Sequence, residues 1–478
     1  MKSLLSKQLS DKFHVNKTDL ANNTLTSIGL IVIAVIFGIA LAYIAVNYSP
    51  LFAMLALVSI PMIGILARRP EIGLILVVAL IPFENINILT ISSFSLFELF
   101  TLFTYAIAVI YSLVFRKDGK LVRSKINWVL FLFLLTVILS NLVAYDHARS
   151  IKSTLRLLRN VSLYIFVINL IRTEKSFYPV LWVLVLSGTL SALYGLYAYF
   201  FDHSLLDPTD LVLRVRGTMN DPNEFAGAMI VRMMIAVGLF RAVSKRNQKV
   251  FLLVVILILA YSIFLSGSRG GILGLSAAVL AYTLTSRAKA RWLIVGSLII
   301  IAGITLMPLT LKERIGLVET SANVGNNLNR RITYLYLGKE IIKENPILGV
   351  GIDGFASTYA QSEYRFLSSS SSGRIAHNTY LEIATGGGLL GLTVFLIMLG
   401  YAYVKVWKIS RINTGSKLAR VAGGLFAGLT GFFVVAFFLS QQYEKTLWLL
   451  LGLVVIIEKL SERNASIVYM PNTRIPKV

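Results

Sequence analysis

The sequence predicts an all-α, polytopic integral membrane protein with about fourteen transmembrane helices. Three observations predict it. Apolar residues make up 56% of 478 positions and charged residues 14%, whereas soluble domains carry roughly 45–50% and 25%. The apolar excess falls in blocks of roughly 17–25 residues, the length that crosses about 30 Å of hydrocarbon as a helix. Strand-type alternation over ten residues is absent, which argues against a barrel. A spanning backbone must satisfy its own polar groups, and that leaves helices.

The elements follow in order. Residues 1–24 are polar and carry Lys2, Lys7, Lys12 and Lys17. The first apolar block, Leu25–Val46, is too long for a signal-peptide core and reads as an uncleaved span. Spans are then expected at 50–66, 72–88, 96–115, 127–145, 158–171, 178–201, 224–243, 250–266, 270–286 and 292–309. A long outer loop, 310–377, separates these from spans at 378–404, 418–440 and 445–458, and residues 459–478 form a tail. The block at 158–171 is the shortest. No internal repeat is visible.

Charge orients the spans. The net charge is +23. With the N-terminus in the cytoplasm, that terminus and the other inner segments hold 29 of the 46 basic residues: Arg68–Arg69, Arg116–Lys125, Arg172–Lys175, Arg241–Lys249, Arg287–Arg291, Lys405–Arg420 and the tail. Short basic loops face the cytoplasm, so both termini are expected there. The basic excess therefore reflects topology, and with no nucleic-acid motif present a nucleic-acid partner is not expected. The connection 146–157 is an exception, placing Arg149, Lys152 and Arg156 outside. An interfacial helix resting on headgroups, or one binding lipid phosphate, would explain it. There is no cysteine, which excludes disulfides, thiolate metal sites and a cysteine nucleophile.

The outer loop has internal order. Leu328–Lys343 reads as a surface helix with Ile332, Leu335, Tyr336 and Ile342 near one face. Asn345–Pro346 ends it. Gly349, Gly351 and Gly354 make a turn-rich passage, and Ser368–Ser372 is a flexible run.

Three outer segments carry chemistry. Arg214-Val-Arg-Gly-Thr-Met-Asn-Asp-Pro-Asn-Glu224 precedes a helix start. There Asp221 is a cap, Pro222 takes the first helical position, and Glu224 lies three residues past the cap. Arg216 stands just before that start, where free N–H groups favour an anion; a lipid headgroup is the simplest one. Ser266-Gly-Ser-Arg-Gly-Gly271 joins two spans, and Arg269 there is either a snorkelling cation or half of an anion clamp. His377 opens the span at 378–404, as a surface group or as a proton acceptor. His14, His147 and His203 lack such a setting. Arg232 lies inside a span, where a charge marks function by default or pairs with a carboxylate such as Glu98. No nucleotide loop, outer Asp-X-Asp pair or histidine cluster is present.

In these segments the chain resembles the bacterial O-antigen ligase and O-antigen polymerase superfamily. The resemblance rests on Arg-Gly-Thr-Met-Asn-Asp-Pro-Asn-Glu-Phe-Ala, Ser-Gly-Ser-Arg-Gly-Gly, the helix from Arg330 into Asn-Pro-Ile-Leu-Gly-Val-Gly-Ile-Asp-Gly-Phe355, and His-Asn-Thr-Tyr-Leu-Glu with Gly-Leu-Leu-Gly-Leu. It covers about Leu211–Leu392. It implies a GT-C-like membrane glycosyltransferase in the bacterial cytoplasmic membrane. The implied donor is an undecaprenyl-diphosphate-linked glycan, taken at the periplasmic face. The implied acceptor is a sugar hydroxyl of a lipid A core or a growing glycan. Neither metal nor any other cofactor is implied. By position, Arg216 and Arg269 match the diphosphate-binding arginines and His377 the catalytic histidine, with Arg214 and Arg331 as helpers. Fourteen spans exceed the number expected of a ligase and approach that of some polymerases. Read from the residues alone, a transporter or flippase of a lipid-linked anionic glycan would also use the spans and outer arginines, but it would not need His377.

Overall fold

The computed structural model describes residues 31, 32, 35, 36, 39, 43, 64–84, 90–91, 94–114, 121–206, 212–317, 324–367, 374–412 and 415–469. The helices are α1 (Pro70–Leu80), α2 (Leu96–Val114), α3 (Lys125–Ser140), α4 (His147–Leu170), α5 (Glu174–Phe201), α6 (Pro222–Ala242), α7 (Arg246–Leu265) and α8 (Arg269–Thr285). After them come α9 (Lys289–Leu306), α10 (Leu309–Ile315), α11 (Val324–Glu344), α12 (Gly354–Gln361), α13 (Thr379–Arg411), α14 (Lys417–Val435) and α15 (Lys445–Tyr469). The one extended pairing among the described residues is the two-residue ladder of Thr90–Ile91 with Phe94–Ser95.

Among the described residues, seven helices are long and apolar enough to cross a membrane: Lys125–Val143, α5, α6, α7, α9, α13 and α14. Pro70–Phe83 and Phe97–Ser112 are shorter apolar helices. The chain is thus a multi-pass membrane protein. The expected spans at 25–46 and 50–66 lie almost wholly outside the described residues, as does the serine run. The short block 158–171 is part of the longer helix α4, and the expected tail begins as helix, since α15 runs on to Tyr469.

The chain divides into two units, 1–77 with 98–120, and 78–97 with 121–478. In the first, Gly73 lies close against Thr104. The second carries the site. At its centre α6 packs against α14 and α7, and α14 also packs on α8. The close approach comes from small residues. A Cβ on Gly238 would sit 3.1 Å from Val421, one on Gly271 2.8 Å from Ala226, and one on Gly274 2.6 Å from Val435. Backbones that approach this closely gain dispersion contact, the main attraction between helices in lipid.

The segments that charge assigned to opposite sides gather at opposite ends of this unit. At one end Val215 donates to Leu265 O (3.0 Å), Tyr145 to Val350 O (3.0 Å) and Thr379 to Ala436 O (2.8 Å), and Lys445 pairs with Glu84. At the other, Arg420 donates to Arg241 O (2.6 Å), Arg463 to Arg172 O (2.8 Å) and Val122 to Asn169 Oδ1 (2.9 Å).

The outer loop is a small helical cap. Tyr334, Leu337 and Ile341 of α11 bury against Val350, Phe355, Tyr359 and Ala376. The face that the sequence pattern groups lies outward: Ile332, Leu335 and Tyr336 are 42%, 55% and 59% exposed. Two apolar stripes run along α11, and the cap's core takes the other one. Past Pro346 the turn docks into α13 where that helix breaks. Val350 N donates to Thr385 O (2.9 Å) and Leu389 N to Pro346 O (2.8 Å). Gly388 has φ 67 and Gly349 φ 66. A side chain on Gly388 would strike Ile347 O and one on Gly349 would strike Thr385 O, so only glycine permits both the left-handed backbone and the contact.

Candidate active site

Each of the three motif segments ends in a capped helix start at the same end of the bundle. Asp221 accepts from Asn223 N (2.6 Å) and Glu224 N (3.1 Å) at α6, as its sequence setting predicts. Ser268 accepts from Gly271 N (3.1 Å) at α8. Asn378 accepts from Tyr380 N (3.0 Å) and Leu381 N (3.1 Å) at α13. These caps satisfy first-turn N–H groups that would otherwise have no partner.

His377 lies one residue before the last of these caps, between two anchors. On one side Ala376 N donates to Glu382 Oε1 (2.6 Å), which Ser440 Oγ also approaches at 3.3 Å. On the other, Thr379 N donates to Ala436 O (2.8 Å) and Thr379 Oγ1 to Leu439 O (2.6 Å). Held this way, His377 adopts φ 48, a left-handed conformation that costs a non-glycine residue about 1–2 kcal/mol. Strain of this kind persists where surrounding contacts over-determine it, and it clusters at functional sites. The imidazole is half-buried, 6.5 Å from the Tyr334 ring of α11 between centroids. Burial lowers its pKa below the ordinary histidine value, Asp221 opposes that, and Arg331 and Arg374 add to it. That direction favours the neutral imidazole, the form able to accept a proton.

Cations converge on the same place. Arg331 lies over the Phe438 ring, 5.8 Å from its centroid. The same ring packs on Gly270, where an added Cβ would stand 3.0 Å away, so Phe438 sits between Arg331 and the start of α8. Arg269, exposed on that start, donates to Arg314 O at 2.6 Å. Lost hydration and then the neighbouring Arg269 charge lower the Arg331 pKa, and Asp221 opposes them. Arg374, three residues before His377, has a buried Nε with no hydrogen-bond partner among the described residues. Like charges collected this closely favour a polyanion, which planar guanidinium forks bind in pairs.

The other expected residues divide. Arg214 is 5% exposed and ties the segment together, donating from Nε to Ser266 O (2.7 Å) and from Nη2 to Asn223 Oδ1 (2.9 Å). It braces the starts of α6 and α8. Arg216 is half-buried, next to the Val215 link to Leu265, and so stands at the same end as Arg269. Asp353 bonds Arg149 Nε (2.8 Å) and Ser153 Oγ (3.1 Å). Arg156 lies over Tyr443, 4.8 Å from the ring centroid. The basic stretch that broke the charge pattern therefore turns Arg149 and Arg156 toward protein partners. Arg232 is fully buried, donates from Nη1 to Ala228 O (3.0 Å), and occupies the space that Gly188 leaves open.

Sequence reasoning passed over Arg374 and the pinning role of Glu382. Arg374 was visible as a charge three residues from the histidine. Glu382 carried no such signal, because its partner is a backbone N–H. Among the described residues no three His, Asp or Glu side chains group as metal ligands.

Residues 252–396 match the family model described as O-antigen ligase. By this match the segment is similar to O-antigen ligases. The ligase segment runs from α7 into α13 and contains Arg269, Arg331, Arg374 and His377, while Arg214, Arg216 and Asp221 precede it. The match supports membership of the ligase and polymerase superfamily and a glycosyltransferase type of activity. No curated protein matches the chain.

Proposed function

We propose that the protein transfers a glycan from undecaprenyl diphosphate to a sugar hydroxyl at the outer face of the cytoplasmic membrane, as a ligase or a polysaccharide polymerase. The observation that carries this reading is the meeting of backbone-strained His377, whose burial favours the neutral imidazole, with the Arg331, Arg374 and Arg269 charges. The acceptor hydroxyl oxygen attacks the anomeric carbon, and His377 takes its proton. The bond from that carbon to the diphosphate oxygen breaks, and the lipid diphosphate leaves with the electron pair. A single displacement inverts the anomeric centre.

In this reading Arg269 and Arg331, with Arg216 behind them, receive the charge that grows on the leaving diphosphate. Preorganised cations do this without rearranging during the reaction, which is why such groups contribute strongly in a dry site. They also take the part that a divalent metal takes in other transferases, so the proposed reaction is metal-independent. Proton acceptance by the imidazole adds about 10²–10⁴-fold. The fourteen-span, GT-C-like architecture, with both termini cytoplasmic, belongs to the same proposal.

The test uses purified protein in nanodiscs, an undecaprenyl-diphosphate-linked oligosaccharide and a lipid A core or glycan acceptor. Release of undecaprenyl diphosphate together with an extended acceptor is expected. Movement of intact donor between leaflets with no release would replace transfer by transport.

A further inference from the structure

Helix α11 has two apolar faces, and only one is covered. Tyr334, Leu337 and Ile341 form the cap's core. The opposite stripe begins with Ile332, Leu335 and Tyr336 and continues at helical spacing into Lys339 and Lys343, all exposed. Ile347, 68% exposed, follows just past the helix end.

The site's backbone connects this stripe to a surface that already faces lipid. The turn at Pro346–Ile347 is bonded into the break of α13, through Leu389 N and Pro346 O at 2.8 Å. Immediately after that break, Leu389 and Leu390 are exposed at 47% and 43% on a helix apolar enough to cross a membrane. The residues before it, from Glu382 to Gly388, are buried. Ile347 thus stands at the level where α13 meets hydrocarbon, and α11 leads away from that level with its apolar face open. Apolar residues followed by lysines on one stripe suit the boundary of a bilayer, with rings and aliphatic chains below and ammonium groups at the phosphates.

We propose that α11 rests in the outer membrane surface, with Ile332, Leu335 and Tyr336 against phospholipid acyl chains and Lys339 and Lys343 at the headgroups. The contact needs only the bilayer and is independent of the transfer chemistry. Its consequence for the site is one of height. Arg331 adjoins this face, and Tyr334 on the same helix faces His377. Seating α11 in the headgroup layer holds the guanidinium and the imidazole at the level of a membrane-anchored phosphate.

The chain has no cysteine, so single labels test this directly. Ile332→Cys, Tyr336→Cys and Glu344→Cys are each labelled with an environment-sensitive fluorophore. The full-length protein is placed in nanodiscs of phosphatidylglycerol and phosphatidylcholine brominated in their acyl chains, with no polyprenyl lipid. For a face buried about 5–10 Å into the boundary, labels at 332 and 336 are expected to lose about half their emission to bromine and to resist aqueous iodide. The label at Glu344 is expected to behave oppositely. Iodide quenching at 332 and 336 without bromine quenching would overturn the proposal and leave the face to water. Bromine quenching equal at all three positions would also overturn it, since no face would be selected. Protection without bromine quenching, joined to cross-linking of two copies through position 336, would replace lipid by a second copy of the chain.

Discussion

The Glu382 carboxylate accepts the N–H of Ala376 at 2.6 Å and so holds the backbone beside His377 in its left-handed turn. A group six residues along the chain thereby sets the position of the candidate base. Glu382→Leu is expected to leave that N–H unpaired in a buried place and to cost about 1–3 kcal/mol. Transfer should fall further than donor binding, because the imidazole loses its aim. Thermal unfolding in detergent, read beside donor affinity and single-turnover transfer, checks this. Unchanged transfer would mean that Glu382 only fastens the loop.

His377→Gln is expected to bind donor as the parent does and to transfer it at least about 10²-fold more slowly, since an amide accepts no proton at neutral pH. Normal transfer by this variant would remove the histidine from the chemistry.

The pH profile follows from the groups facing His377. Burial, Arg331 and Arg374 lower its pKa and Asp221 raises it. The base works when neutral, so activity should be retained above the lowered pKa and lost as pH falls through it, below the ordinary value of about 6.5. Asp221→Asn keeps the cap, because Asn and Asp cap equally well, and removes the charge. Its acid limb should move to lower pH, whereas Arg374→Gln should move it higher. A limb unmoved in both variants would assign the titration to another group.

Arg269 and Arg214 should separate function from structure. Arg269, exposed at the start of α8, is expected on replacement by alanine to leave folding intact and to lose about 2–4 kcal/mol of transition-state stabilisation. Lysine should restore little, as a point charge in place of a fork. Arg214→Ala is expected instead to destabilise by about 1–3 kcal/mol, because Ser266 O and Asn223 Oδ1 lose a buried donor. Unfolding midpoints and turnover, measured for both, decide.

Gly188→Ala would drive a methyl into the Arg232 side chain. Overpacking of that kind should cost about 1–3 kcal/mol. An unchanged melting temperature would mean that Arg232 moves aside without loss.

Much of this arrangement could be read along the chain. Asp221–Pro222 announced the start of α6, and Asn345–Pro346 the end of α11, because capping and proline act on adjacent residues. Which face of α11 is covered could not be read, for the opposite reason. Its covering partners, Val350, Phe355, Tyr359 and Ala376, lie outside the helix, and periodicity cannot choose between two apolar stripes. The same limit separates Arg214 from Arg216. They are two residues apart in one motif, yet Ser266 O and Asn223 draw the first into the scaffold.

By itself the sequence determined that the chain is a multi-pass helical membrane protein and which motifs carry cations and a histidine. Run length, loop charge and helix caps are local quantities, set by neighbours within a few residues. Only the tertiary structure brought Arg331, Arg374, Arg269 and Asp221 together around His377, strained its backbone and buried its ring. Electrostatic reach and burial depend on distances in space. Here those distances are made by the cap folding back onto broken helix α13, through hydrogen bonds between residues some forty positions apart, Val350 to Thr385 and Pro346 to Leu389.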